Sequence, residues 1–184
     1  MARDVVVIVG SIRKESLNRK LAEALIVLQP PGLKLEIVPI AQLQMFNQDL
    51  EATPTPEWSA FKARVKRADA VLFVTPEYNR SVPGVLKNAI DVASRPYGQS
   101  AWNGKPAAII TVSGGAIGGF GANHHLRQSL VFLNMPAMTQ PEAYIGNGNA
   151  LFDASGKLIN ADTEKFLKNF LSAFEKWINA NAAS

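Results

Sequence analysis

The run Val5-Val-Val-Ile-Val-Gly-Ser-Ile-Arg-Lys-Glu-Ser-Leu-Asn-Arg-Lys-Leu-Ala22 decides how the rest of the chain is read. Five β-branched residues in succession, Val5 to Val9, make a strand buried on both faces, because a half-exposed strand alternates apolar and polar positions. Gly10 breaks the strand. A short polar run, Ser11 to Ser16, follows, and then Leu17, Leu21, Leu25 and Leu28 recur at helical spacing. A buried strand thus passes through a hydroxyl-rich turn into a helix.

That turn has the makings of an anion site. The first N–H groups of a helix have no intrahelical partner, and the macrodipole adds positive charge there. Ser11 and Ser16 bring hydroxyls, Asn18 an amide and Arg13 a guanidinium fork suited to phosphate oxygens. Ser16 also reads as a simple helix cap. The turn is neither Gly-x-x-x-x-Gly-Lys-Ser/Thr nor Gly-x-Gly-x-x-Gly, so a P-loop and a dinucleotide fingerprint are both excluded. A terminal monophosphate suits it better than a bridging pyrophosphate. Glu36, near the end of the next strand, reads as a solvent-side residue.

Outward from this unit, Pro30-Pro31-Gly32 stops the helix and Leu33–Ile40 forms a second strand. Its alternation of Leu33, Leu35 and Ile37 with Lys34 and Glu36 marks an edge. A helix from about Glu57 turns Trp58, Phe61, Val65 and Ala68 inward and leaves Lys62, Arg64, Lys66 and Arg67 as a solvated face. Ala70–Thr75 is a third strand, ending at the polar loop Pro76–Gly84; a helix over Gly84–Ser94 follows. The loop Arg95–Lys105 leads to a fourth strand, Pro106–Val112. Then comes Ser113–Gly121, with five glycines in nine residues. A helix over Ala122–Leu133, a fifth strand over Ala137–Tyr144 and turn chemistry at Gly146–Asn149 and Asp153–Gly156 complete the pattern. The last helix, Asp162–Ala180, carries Phe166, Phe170, Phe174, Trp177 and Ile178 on a core-facing stripe.

Five strands alternating with five helices predict a three-layer α/β sandwich: a five-stranded parallel sheet of order 2-1-3-4-5 with helices on both faces, in one domain over residues 1–184. This is the flavodoxin-like winding, whose ligand crevice opens where the chain reverses direction between strands one and three; FMN sits there in flavodoxin. The unusual chemistry lies after strands one, three and four, and the winding brings these three loops to one crevice. The loop after strand three offers backbone groups for the polar edge of a flat ring. The glycines after strand four allow close backbone approach.

The chain has 184 residues, 47% hydrophobic and 18% charged, with no cysteine, which excludes disulfides, thiolate metal sites and a cysteine nucleophile. No apolar run approaches the roughly 18 residues of a membrane span, and no secretory leader is evident, so a cytoplasmic protein without a membrane partner is expected. The net charge of +4 comes from scattered Lys and Arg, which suits anionic ligands rather than nucleic acid. His124 and His125 are neighbours that face different ways, so no metal site is read from them. No Gly-x-Ser-x-Gly elbow is present, and no set of side chains supplies a general acid, base and nucleophile. No catalytic side chain is assigned; in an enzyme the hard chemistry must then belong to a cofactor. On residues alone, an electron carrier and an FMN-free phosphate-binding domain stay open as alternatives to an enzyme.

Three runs, Gly10-Ser11-Ile12-Arg13 with Ser16-Leu17-Asn18, then Pro76-Glu77-Tyr78-Asn79 continuing to Asp91, then Ser113-Gly114-Gly115, resemble the NAD(P)H-dependent FMN reductase family. The likeness extends from about Val5 to Tyr144 and is nearest to the bacterial quinone and chromate reductases. It implies FMN as cofactor and NADPH or NADH as electron donor. Ser11, Arg13, Ser16, Leu17 and Asn18 would hold the phosphate; Pro76, Glu77, Tyr78 and Asn79 would line the ring; Ser113, Gly114 and Gly115 would meet its far edge and the ribityl side. It further implies hydride transfer to flavin N5, ping-pong delivery of two electrons to quinones or to chromate, azo or nitro compounds, and a homodimer or homotetramer. Arg80 and the Arg95–Trp102 loop would then face a partner's site. A flavodoxin-type carrier without NAD(P)H activity is the competing reading; such carriers are typically acidic, and this chain is basic.

Overall fold

A computed structural model describes residues 1–181. Strands β1 (Arg3–Val9), β2 (Leu33–Ile37), β3 (Ala70–Thr75), β4 (Ala107–Val112) and β5 (Tyr144–Ile145) alternate with helices α1 (Leu17–Leu28), α2 (Pro56–Arg67), α3 (Gly84–Ser94), α4 (Phe120–Phe132) and α5 (Ala161–Asn181). All pairings are parallel, in the order β2-β1-β3-β4-β5. The expected winding is therefore present.

Alternate residues of β1 serve opposite faces, as the pleat requires. Val6 and Ile8 pack with Trp58, Phe61, Leu86, Ile90 and Leu126 from α2, α3 and α4. Val5, Val7 and Val9 pack with Leu21, Leu25, Phe170 and Phe174 from α1 and α5. Because helices cover both sides, the strand shows no polar alternation. The aromatic stripe of α5 is core packing, with Phe170 and Phe174 fully buried. Leu167 and Leu171 fill the remainder of that face, while Phe166 and Trp177 are only partly buried.

Two strands differ from expectation. β2 ends at Ile37: Val38 still donates to the Val7 carbonyl, but Pro39 has no N–H to continue the ladder. The fifth strand is much shorter than Ala137–Tyr144. Met138 N–H reaches the Ala107 carbonyl and Thr111 N–H reaches the Ala143 carbonyl, but the chain leaves the sheet in between, at Gln140-Pro141. Pairing resumes only at Tyr144–Ile145, opposite Thr111 and Val112.

The basic face of α2 is not uniformly solvated. The Arg64 guanidinium grips Asp4 of β1 with two bonds, Nη1–Oδ2 at 2.9 Å and Nη2–Oδ1 at 2.7 Å, and also reaches Glu36 of β2 at 2.8 Å. Burial works against its charge, but these carboxylates outweigh it and hold the Arg64 pKa above its ordinary value. Glu36, exposed on β2, therefore shares in a tie between α2, β1 and β2. Arg64→Met is expected to lower the unfolding free energy by about 1 kcal/mol, the exposure of both carboxylates reducing the value of the fork. Arg64→Lys should recover only part of that loss, since a point charge cannot make the bidentate contact. Urea melts of the two variants check this.

The Arg95–Trp102 loop divides into two parts. Trp102 is fully buried against Phe61 and Phe73, with its indole N–H on the Ile90 carbonyl at 2.9 Å, so it cannot face a partner's site. An indole at the end of a polar loop is stabilised more by core burial than by solvent. Tyr97, at the loop tip, is exposed together with Gly98 and Gln99. Among the described residues no helix is long and apolar enough to cross a membrane.

Candidate active site: three loops joined at the C-terminal edge of the sheet

The first loop leaves β1 pressed against β3. Gly10 N–H donates to the Val74 carbonyl at 2.8 Å. A Cβ on Gly10 would lie 2.2 Å from Thr75 Oγ1, so only glycine fits. Ser16 is the N-cap of α1, its hydroxyl accepting the Arg19 N–H at 3.3 Å. Among the described residues the N–H groups of Leu17 and Asn18 have no partner, which leaves the start of α1 open to an anion. Ser11 is half-buried, and its hydroxyl accepts the Arg13 N–H at 3.4 Å. Arg13 is exposed, and among the described residues no carboxylate pairs with it. It also borders a cleft of about 370 Å³ between this loop and Val38–Ala41.

Leu17 contributes a free N–H, while its side chain packs on the core. Asn18 is buried, and its amide donates to the Val112 carbonyl at the end of β4, 3.2 Å away. The side chain thus ties the first turn of α1 to the end of β4, its amide N–H being spent there rather than free for a phosphate. Its Oδ1 is buried without a partner, an acceptor left for a donor such as a sugar-alcohol hydroxyl.

The second loop closes on itself. Tyr78 and Ser81 exchange backbone hydrogen bonds at 3.0 and 2.9 Å around Asn79 and Arg80, whose φ values are +53° and +63°. That is the handedness of a type I′ turn, held here without glycine. Pro76 is partly buried, and Tyr78 is half exposed. The Glu77 side chain does not lie open along the crevice: one carboxylate oxygen accepts the Ala122 N–H at 3.1 Å, the other an Arg80 N–H at 3.0 Å.

The third loop lies on a floor that sequence reasoning missed. Ser113 N–H donates to the Ile145 carbonyl, Gly148 N–H to the Ser113 carbonyl and Asn147 N–H to the Gly115 carbonyl. A Cβ on Gly146 would meet the Ala116 carbonyl at 2.4 Å, and one on Gly148 would meet Val112 at 2.7 Å. The Gly146-Asn147-Gly148-Asn149 run is thus the support of this loop. The signal in the sequence is a second pair of glycines, Gly146 and Gly148, directly after a sheet strand, where turn chemistry alone does not show what the run supports. Ser113 Oγ donates to the Gly115 carbonyl at 3.0 Å; Gly114 and Gly115 are exposed, and the space beside Gly115 is open to 4.0 Å.

The two histidines separate, as neighbours on a helix do. His125 Nδ1 bonds Ser81 Oγ at 2.7 Å, and His124 Nε2 bonds the Tyr144 hydroxyl at 2.9 Å beside Phe120. Burial, followed by the nearby Glu142 carboxylate, pushes the Tyr144 phenol up to about 12, so it stays protonated at neutral pH.

Each loop or its flank is therefore tied to a neighbouring element: Gly10 N–H to the Val74 carbonyl of β3, the Asn18 amide of α1 to the Val112 carbonyl of β4, and the Glu77 carboxylate to the Ala122 N–H of α4. The loops leave three neighbouring strands, β1, β3 and β4. Residues 3–150 match the family described as NADPH-dependent FMN reductase. The chain belongs to that family. Its flavin is accordingly FMN and its electron donor a reduced nicotinamide, which separates it from an electron carrier and from an FMN-free domain. The open N–H groups at the start of α1, the orphaned Asn18 Oδ1 and the exposed backbone at Gly114–Gly115 fit such a cofactor. A quinone reductase of Pseudomonas putida is 62% identical over 180 residues, covering 97% of this chain and 96% of the relative. A 2-hydroxy-1,4-benzoquinone reductase of a Burkholderia species is 46% identical over 178 residues, 97% of each chain. Among solved structures, the flavoenzyme NAD(P)H:(acceptor) oxidoreductase FerB of Paracoccus denitrificans superimposes with a TM-score of 0.93 at 43% identity, over 99% of this chain and 100% of FerB.

Proposed function

We propose that this reductase uses FMN to carry two electrons from NADPH or NADH to quinones, with azo, nitro and chromate compounds as further acceptors. One observation supports the reading: the three loops with unusual chemistry leave the same edge of neighbouring parallel strands β1, β3 and β4, with hydrogen bonds from Gly10, Asn18 and Glu77 tying them or their flanks to β3, β4 and α4. When bound, FMN supplies hydride acceptance and two-electron delivery. The chain's own part is binding and orientation. The free N–H groups of Leu17 and Asn18, the hydroxyls of Ser11 and Ser16 and the Arg13 guanidinium would hold the phosphate. Pro76, Tyr78 and Asn79, with the backbone of Glu77, would line one side of the ring. Ser113, Gly114 and Gly115 would line the other, and Asn18 Oδ1 would accept a ribityl hydroxyl.

A single open face serving donor and acceptor in turn gives ping-pong kinetics. The enzyme acts as one FMN-binding domain over residues 1–184 in the cytoplasm. It assembles as a dimer or tetramer, a reading supported by the exposed Val131 and Phe132 on α4. Reconstituted protein mixed anaerobically with NADPH or NADH is expected to lose its flavin absorbance and to regain it on addition of benzoquinone. Steady-state plots should be parallel. Absorbance that persists with both nicotinamides would refute the enzyme reading.

A further inference from the structure

We propose that Glu77 is a positioning residue: its carboxylate fastens the loop after β3 to the first turn of α4 and so sets the gap between the two walls of the flavin ring site. This inference rests on the FMN reading above.

Ala122 is the third residue of α4, the position whose N–H an N-cap side chain ordinarily satisfies. Here the N-cap is Gly119, at φ +81°, which has no side chain to do so. The acceptor comes instead from Glu77, 45 residues away in sequence, and a carboxylate at a helix N-terminus is also favoured by the helix dipole. Gly121 makes room for it: a Cβ there would lie 2.8 Å from Glu77 Oε2 and 3.2 Å from the Arg80 carbonyl. The Glu77 side chain is only 12% exposed, and its second oxygen holds Arg80 at 3.0 Å.

The clamped loop needs holding. Asn79 and Arg80 both sit in the left-handed region without being glycine, a conformation that persists only where surroundings impose it. The surroundings are few and specific: the Tyr78–Ser81 backbone pair, the Glu77 clamp, and the Ser81–His125 bond at 2.7 Å. Two of these three run to α4. The second loop therefore takes its position from the helix that follows the third loop, and both walls move as one unit.

The test compares Glu77→Ala, Glu77→Gln and Gly121→Ala with the wild type. Binding of FMN and of riboflavin is followed by flavin fluorescence and visible circular dichroism, and amide exchange at Ala122 is followed in the apo protein. Glu77→Ala should weaken FMN and riboflavin equally, by about tenfold, because ring contacts are shared by both. Glu77→Gln should stay within about threefold of wild type, since its amide oxygen still accepts the Ala122 N–H. Gly121→Ala, with Glu77 intact, should repeat the alanine phenotype by forcing the clamp open. Loss of FMN but not riboflavin affinity in Glu77→Ala, unchanged affinity for both, or a glutamine variant as weak as alanine would each overturn the proposal. Should the wild type bind no flavin, the FMN reading fails. The clamp is then judged by the Ala122 amide: protection in wild type and Glu77→Gln but not in Glu77→Ala supports it, and a fast-exchanging wild type overturns it.

Discussion

Arg13→Ala protein is expected to bind FMN roughly 10- to 150-fold more weakly than wild type, the equivalent of one charge-assisted hydrogen bond worth about 1.5–3 kcal/mol. Arg13 is exposed in the loop that runs into α1, whose first N–H groups lack partners, and among the described residues no carboxylate pairs with it. A guanidinium without an internal partner gives up little when it turns to a phosphate. Riboflavin, which has no phosphate, should bind both proteins equally, and that separates this effect from a disturbed ring pocket. Arg13→Lys should fall between, keeping the charge but not the fork. Because the site is exposed, the difference between wild type and alanine should shrink as salt rises. Fluorescence titration at two ionic strengths measures all of this, and an unchanged FMN affinity in Arg13→Ala would remove the residue from the site.

Trp102→Ala is expected to lower the unfolding free energy by about 3–5 kcal/mol, the range for deleting a large buried aromatic. The indole is wholly enclosed and makes ring contacts with Phe61 at 6.1 Å and Phe73 at 5.9 Å. Trp102→Phe should lose less, keeping most of the apolar volume while leaving the Ile90 carbonyl without the indole donor. Tyr97→Ala, at the exposed tip of the same loop, should change stability by less than about 0.5 kcal/mol. Urea unfolding followed by far-UV circular dichroism gives each value. Equal losses at Trp102 and Tyr97 would contradict the division of the loop into a buried anchor and an exposed tip.

The loop ties explain why the site was partly legible before any coordinates. Ser16 answers a local need, a helix cap, while Gly10 and several glycines after β4 answer close approach by distant residues; each need restricts residue type and so leaves a mark in the sequence. The direction of the Glu77 carboxylate left no such mark. A glutamate in a polar loop has the same appearance whether it faces a ligand or caps a helix 45 residues on. By sequence Arg64 is likewise one more solvated cation on a helix face, because its partners Asp4 and Glu36 lie on two other elements.

The chain order of apolar runs and turns was enough to determine the parallel sheet and its 2-1-3-4-5 winding. Burial on both faces leaves a strand no freedom to alternate, and a crossover helix leaves it little choice of direction. Only the tertiary structure decided how short β5 is, that Trp102 turns inward, and that Asn18 binds to the end of β4 and Glu77 to the start of α4. Those outcomes depend on which donors and acceptors meet across tens of residues, and pairwise hydrogen bonding at that range is fixed by packing rather than by the identity of either partner.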